Sequence, residues 1–348
     1  MASECTRPYA SCGPDARAVQ VRDRPRAARD RVRPTDGSVR LPDEASECRT
    51  LESRTLMQMA SPILLLDAFS LLYRAFFALP PLNTRAGEPT SALYGLCVLL
   101  LKLLREQRPR GAAFALDLPR RTFRHEKWDG YKASRQTPPS TLKRQVGRLG
   151  EIIEAFGFPA LSSPGFEADD VLATLARRLA ADGEAPMVVS GDRDSLQLAG
   201  GGVRVLYVGR GVKEMCYDEA EVVARFGVAP RQLPDYVALV GDPSDDLPGV
   251  AGIGPKIAAR LVTTYGGVDG ILAHLPDIEP ARVREAVGQA AARLPMWRDL
   301  ATLRDDVPLG DGQPWEAPTD AARVRVRELF ERLEFASLAA RVDEAFAR

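Results

Sequence analysis

Read for the spacing of apolar and polar positions, the chain alternates between short buried runs and helical repeats. Ile63-Leu64-Leu65-Leu66 is an unbroken apolar run, as in a strand covered on both faces, and Asp67 ends it. A helical repeat through Leu71, Leu72, Ala75 and Phe76 follows, with Arg74 on it, and Thr90 to Leu104 predicts a second helix. Pro109 and Gly111 break the chain before a second buried run, Ala112 to Leu116, which Asp117 ends. Leu149 to Phe156 is helical toward Gly157, and Val171, Leu172, Leu175, Ala176 and Leu179 mark a helix running to Ala181. Met187 to Ser190 predicts a third strand, followed by Gly191-Asp192-Arg193-Asp194, and Val203 to Val208 a fourth. From Asp218 onward the pattern is helical with Pro/Gly turns. This alternation predicts an α/β fold, a mostly parallel twisted sheet flanked by helices, with no solenoid repeat.

Composition adds limits. At 348 residues, with 45% hydrophobic and 27% charged positions, the chain can bury a large core. Its formal net charge is zero, so electrostatic arguments rest on local patches. No apolar run reaches the ~18 residues of a membrane span, since Leu93 to Leu104 is interrupted by Lys102, and no signal-peptide core opens the chain. Cys5, Cys12, Cys48, Cys97 and Cys216 have neither disulfide-framework nor zinc spacing and fit a reducing cytosol. Residues 1–60 are rich in Arg, Asp, Ser and Pro and poor in aliphatics, which predicts a disordered tail. Met57 and Met59 stand just before the first strand, so an inert tail, or a start assigned too far upstream, is favoured over a nucleic-acid tether.

The acids change the picture most. In an open parallel sheet, ligands bind beyond the carboxyl ends of the strands. Asp67, Asp117 and the pair Asp192 and Asp194 each follow a predicted strand. Glu167, Asp169 and Asp170 open a helix, where carboxylates also simply complement the helix dipole. Asp242 and Asp245 come from a loop. Any one such Asp is most often a cap or turn residue. The recurrence of that placement beside two acidic clusters points instead to a metal rim, and an all-oxygen set suits Mg²⁺ or Mn²⁺ rather than zinc. So many carboxylates can hold two ions, the arrangement that serves in-line displacement at phosphorus.

Between the second strand and residue 148 the chain is strongly basic, with Arg120, Arg121, Arg124, Lys127, Lys132, Arg135, Lys143, Arg144 and Arg148, and with Phe123, Trp128 and Tyr131 interleaved. A solvated basic surface is the ordinary explanation of such a run. Its position directly after Asp117, and its aromatics, favour a nucleic-acid contact. Gly252-Ile253-Gly254 before a helix, with Pro255 at its first position and Lys256 beside it, can present backbone N–H groups to a phosphate.

Taken together, Thr122-Phe123-Arg124-His125-Glu126 with Tyr131-Lys132-Ala133-Ser134-Arg135, Glu167-Ala168-Asp169-Asp170, Gly191 to Leu198 and Gly241 to Gly254 resemble the 5′-nuclease family, which includes the 5′→3′ exonuclease domain of bacterial DNA polymerase I and flap endonucleases. The resemblance covers Ile63 to Leu338. It implies a PIN-like core with a helical arch over residues 61–229, and a helix–three-turn–helix duplex-binding region over 230–348. It assigns one metal to Asp67, Asp117, Glu167 and Asp169, and a second to Asp170, Asp192, Asp194, Asp242 and Asp245. Arg74, Arg124, Lys132 and Arg135 would hold the scissile phosphate and 5′ strand. Tyr131, Gly252, Ile253, Gly254 and Lys256 would meet DNA, with K⁺ at the hairpin.

Two positions depart from the family pattern: Asp246 stands where Asn is usual, and Pro119 where Lys is frequent. The expectation is a stand-alone, monomeric, Mg²⁺-dependent 5′→3′ exonuclease and flap endonuclease, because the chain stops at Arg348 with no polymerase following. It would act in the cytoplasm at the bacterial nucleoid, on DNA 5′ ends, flaps and RNA–DNA primer junctions, beside a separate DNA polymerase and away from membranes. The alternatives are a PIN-type ribonuclease, which would lack the Gly241–Lys256 element, and a non-catalytic DNA-binding module, which would have lost metal ligands.

Overall fold

The apolar runs form the strands of one sheet. The computed structural model describes residues 61–209, 213–310 and 315–347, and the expected tail, residues 1–60, lies outside them. In chain order come β1 (Ile63–Asp67), α1 (Ala68–Ala78), α2 (Ser91–Gln107), β2 (Gly111–Ala115), α3 (Phe123–Lys127), α4 (Ser140–Val146), α5 (Leu149–Phe156), β3 (Ala160–Leu161), α6 (Ala168–Ala181), β4 (Pro186–Ser190), a 3₁₀ turn (Asp194–Leu198), β5 (Arg204–Val208) and β6 (Glu214–Tyr217). The helical part follows: α7 (Glu219–Phe226), α8 (Leu233–Val240), α9 (Pro255–Tyr265), α10 (Val268–Ala273), α11 (Ala281–Ala290), α12 (Leu294–Ala301), α13 (Asp320–Arg332), α14 (Ala336–Ala339) and α15 (Val342–Phe346).

The sheet order is β3-β2-β1-β4-β5-β6, parallel except for the β5–β6 pair. The short strand β3 and the antiparallel edge strand β6 were not anticipated. β3 is only two residues long, and β6 is largely exposed, so neither carries an apolar run.

Side chains alternate across the sheet, so odd and even positions of β1 enter different cores. Ile63 and Leu65 belong to a buried core that continues through α6 into the helices from α8 to α12. Leu64 and Leu66 pack with α1, α2 and α5, and with Phe330, Leu338 and Val342 from the last three helices. The chain therefore returns, after its helical excursion, to the layer of α2 and α5 that covers this face of the sheet. Both faces are covered, which is why β1, β2 and β4 are buried at every position. Among the described residues no helix is long and apolar enough to cross a membrane.

β1 and β4 are adjacent while their following connections run to opposite sides, so the sheet's order reverses between them. The crevice outside the carboxyl ends at such a reversal is where open α/β sheets bind ligands.

Candidate active site

A cleft of about 580 Å³ opens at that reversal. Its walls include Asp67, Asp117, Glu167, Asp169 and Asp192, together with Arg74, Lys132 and Arg135. Acids distant in sequence thus reach one rim, each positioned by a local device. Asp67 ends β1 and caps α1, accepting from Ser70 N at 3.0 Å on Oδ1, while Ser190 Oγ donates to its Oδ2 at 2.7 Å. Ser190 Oγ also accepts from Asp192 N at 2.9 Å, and Ser70 Oγ from Gly191 N at 2.9 Å. Ser70 and Ser190 therefore tie the first acid to the turn that carries Asp192. Sequence reading did not single them out, although Ser three residues after a strand-ending Asp is a capping spacing.

Asp117 Oδ1 accepts from Ala168 N at 2.8 Å, which docks the start of α6 against the end of β2. Asp169 stands in that first turn. Its Oδ1 is buried with no hydrogen-bond partner among the described residues. Burial, with the charges of Asp67, Asp192 and Asp117, pushes its carboxyl well above the ordinary range. Burial, with Asp192, Asp245 and Asp242, does the same to Asp194. Asp67 is raised to about 6, again chiefly by burial. These influences sort the acids into two adjoining groups, one around Asp169 and one around Asp194, with Asp192 acting on both.

The second group depends on the loop from Gly241 to Gly249. Gly241 has φ +87° and Gly249 φ +67°, and a Cβ on Gly249 would lie 2.5 Å from Gly241 N. Only glycine lets the ends of this loop meet so closely. The closed loop, fastened by Asp242 N to Leu247 O at 2.8 Å, turns Asp242 and Asp245 toward Asp194. Among the described residues, no three such side chains are drawn closely enough to enclose an ion as they stand. Bare carboxylates repel one another, and several are engaged by the protein's own donors.

The principal such donor is Lys132. Its Nζ lies 3.0 Å from Glu167 Oε2 and 3.5 Å from Asp245 Oδ1. Although burial opposes the charge, Glu167 and Asp245 hold this ammonium protonated. Tyr131 Oη donates to the same two acids, at 3.0 and 2.8 Å. Arg74 lines the cleft with its guanidinium on Gly191 O and 3.3 Å from Tyr207 Oη. Arg135 is exposed at the rim. Phe69, Tyr73 and Phe77 form an aromatic wall, with Phe77 70% exposed.

Three expectations are corrected. Asp170 does not join the second group. It is fully buried and receives Arg124 Nη1 and Nη2 at 2.7 Å each, Glu167 N at 3.0 Å and Arg304 N at 2.9 Å. A carboxylate so surrounded has no lone pair facing the cleft. Arg124, expected at the phosphate, is 1% exposed, with Nε on Leu300 O, Nη2 also on Thr302 O, and Nη1 3.6 Å from Glu167 Oε2. Tyr131, expected against DNA, is 2% exposed and has its ring edge-on to His125.

Away from the cleft, Gly252, Gly254 and Lys256 are exposed at the start of α9, with Gly254 as its N-cap and Pro255 in its first turn. Nothing lies within 4 Å of a Cβ built on either glycine, so their backbone is open to a ligand. Ile253 is 5% exposed and anchors the turn in the core. Asp246 has φ +59° and binds Ser134 through both carboxylate oxygens, at 2.8 Å to its N–H. The extra charge thus fastens the basic turn to the acidic loop rather than joining the carboxylates at the cleft. Pro119 leaves no lysine at its position.

Comparison with known proteins agrees with this geometry. The bacteriophage T5 5′-exonuclease with divalent zinc ions superposes with a TM-score of 0.57 at 19% identity, over 82% of this chain and 99% of that one. The T5 flap endonuclease in a pseudo-enzyme–product complex with DNA and metal ions gives 0.57 at 17% identity, over 82% and 100%. These two likenesses establish the fold. DNA polymerase I of Mycobacterium leprae is 41% identical over 294 residues, which are 82% of this chain and 32% of that protein. The chain thus spans about a third of the length of such curated relatives. Residues 62–227 match the N-terminal resolvase-like domain of 5′–3′ exonucleases and residues 228–318 their C-terminal SAM fold, and the chain belongs to the 5′–3′ exonuclease family.

Proposed function

We propose that the cleft hydrolyses phosphodiester bonds near 5′ ends and flaps of DNA, including RNA primers on DNA, with two divalent ions, Mg²⁺ or Mn²⁺. The observation that carries this reading is the buried, partnerless Asp169 Oδ1 among Asp67, Asp117 and Asp192. A buried carboxylate oxygen without a donor, beside further carboxylates, must be neutralised by a proton or a bound cation, and a divalent ion neutralises several of them at once. The donor set is all oxygen and suits a hard divalent ion. Asp67, Asp117, Asp169 and Asp192 would hold one ion, and Asp192, Asp194, Asp242 and Asp245 the other. When bound, the ions supply an activated water and stabilise the leaving oxygen.

The remaining steps belong to the protein's own residues. Lys132, already protonated, can turn from Glu167 to a phosphate oxygen and offset its growing charge. Arg74 and Arg135 add positive charge across the cleft, and Phe69, Tyr73 and Phe77 offer ring faces to the adjoining bases. The exposed Gly252–Lys256 turn would hold the duplex backbone, with K⁺ as a candidate companion there. Residues 61–229 would form the catalytic core and α8 to α9, within 230–348, the duplex contact. A monomer working beside a DNA polymerase in the cytoplasm fits this scheme.

The test is a 5′-flap duplex incubated with the full chain and Mg²⁺, with and without chelator. Cleavage at the junction, lost with chelator, is expected. Cleavage unaffected by chelator, or none at all, overturns the proposal.

A further inference from the structure

Leaving α12, residues 300–304 are held through their backbone at every position by side chains of the sheet domain. Arg124 Nε donates to Leu300 O at 2.9 Å and Arg124 Nη2 to Thr302 O at 2.9 Å. Gln197 Nε2 donates to Ala301 O at 3.1 Å, while Leu303 N donates to Gln197 Oε1 at 3.0 Å. Arg304 N donates to Asp170 Oδ1 at 2.9 Å. All three holders are buried, with Gln197 8% exposed. A buried amide that answers two main-chain groups fixes both in register, because losing it would leave each unsatisfied.

Each grip lies beside an acid of the cleft. Asp170 follows Asp169 in the first turn of α6. Gln197 is three residues beyond Asp194 in a 3₁₀ turn, and residues at that spacing share a side. Gln197, Asp194, Asp242 and Ala301 line one small cavity of about 200 Å³. The same five-residue stretch therefore grips α6, which carries Asp169 of the first acidic group, and the 3₁₀ turn, which carries Asp194 of the second.

We propose that the Leu300–Arg304 strap is a spacer that sets the separation of the two carboxylate groups, and that Gln197 is a positioning residue for the ion held around Asp194. This rests on the two-ion reading above. Groups that orient ligands without touching the ion typically change its affinity roughly 10- to 100-fold when removed. Gln197→Met keeps length and bulk but removes both hydrogen bonds. Thr174→Val is the control. Thr174 Oγ1 accepts from Val307 N at 3.1 Å and donates to Asp170 O at 2.9 Å, a carbonyl that keeps its own helical N–H partner, so the change loosens the chain just beyond the strap while leaving the side-chain grips of Arg124, Asp170 and Gln197 in place.

The experiment titrates Mn²⁺ into the full chain and both variants by calorimetry, and follows thermal unfolding of each without metal. Two ions are expected for the unmodified protein. One of them should weaken roughly 10- to 100-fold in Gln197→Met and neither in Thr174→Val, although both variants melt lower. Cleavage by Gln197→Met should return at high Mn²⁺. Equal ion affinity in all three proteins overturns the spacer, even where Gln197→Met is less stable. No ion binding by the unmodified protein overturns the nuclease reading itself and the spacer with it.

Discussion

Asp169 and Asp170 are adjacent in the chain and opposite in environment: Asp169 Oδ1 is buried without a donor, while Asp170 receives four, two of them from Arg124 at 2.7 Å. One residue of helix rotates a side chain by about 100°. That single step separates a group poised for a cation from one already neutralised. Replacing them should therefore do opposite things. Asp170→Ala strands a buried guanidinium and should cost about 3–5 kcal/mol of stability. Asp169→Asn should leave metal-free stability equal or higher, yet abolish cleavage. Denaturant melts beside flap-cleavage assays measure both.

Divalent ions should stabilise the folded chain. At about 100 times its dissociation constant, an ion bound only by the native state adds about 2.7 kcal/mol. The thermal midpoint should rise with Mn²⁺ and fall back on chelation, and Asp169→Asn should remove most of the response. An unchanged midpoint in the unmodified protein would contradict the ion site.

Without metal, stability should increase as pH falls from 7 toward 5. Asp67 is raised to about 6 in the folded state from 3.8, chiefly by burial, and Asp169 and Asp194 are raised as well. In that window the native state binds more protons than the unfolded chain, so acidification favours folding, by on the order of 1–3 kcal/mol. Saturating Mn²⁺ should flatten or reverse the trend, because protons and ions compete for the same oxygens. Urea melts at several pH values test the sign.

Lys132→Met should slow single-turnover cleavage by roughly 10²–10³-fold, the range for losing one charged donor at a developing charge. Duplex binding should change much less, because Lys132 is directed at Glu167 and Asp245 inside the cleft. An unchanged rate at saturating substrate would remove it from the chemistry.

Gly254→Thr should separate binding from folding. Gly254 has φ −93°, its Cβ direction is open, and threonine still caps a helix. Stability should move by no more than about 0.5 kcal/mol, while duplex affinity falls. The affinity that remains should still weaken linearly with salt on logarithmic axes, as phosphate contacts require.

The strands and the placement of acids beyond them were legible because burial on both faces leaves apolar runs, and Asp67, Asp117 and Asp192 directly follow those runs. The inner allocation of acids was not. Glu167 and Asp170 do share a face, as their spacing requires, but the face looks inward to Arg124. Which side of a helix meets solvent depends on what packs there, and here that is the chain from Leu300 to Arg304, more than a hundred residues away. The same distance hid Gln197, whose two partners lie in that stretch. Tyr131 looked like a base-stacking aromatic because composition reports the ring and not its hydroxyl's partners.

The packing of Phe330, Leu338 and Val342 into the core shared with α2 and α5 bears on how this chain can be dissected. A fragment trimmed at residue 318, where the matched C-terminal segment stops, would retain the carboxylate rim and the turn before α9 yet bare the oily flank of α2 and α5 that those helices shield. Such a truncation should clump during purification, and its silence in an assay would say nothing about the chemistry.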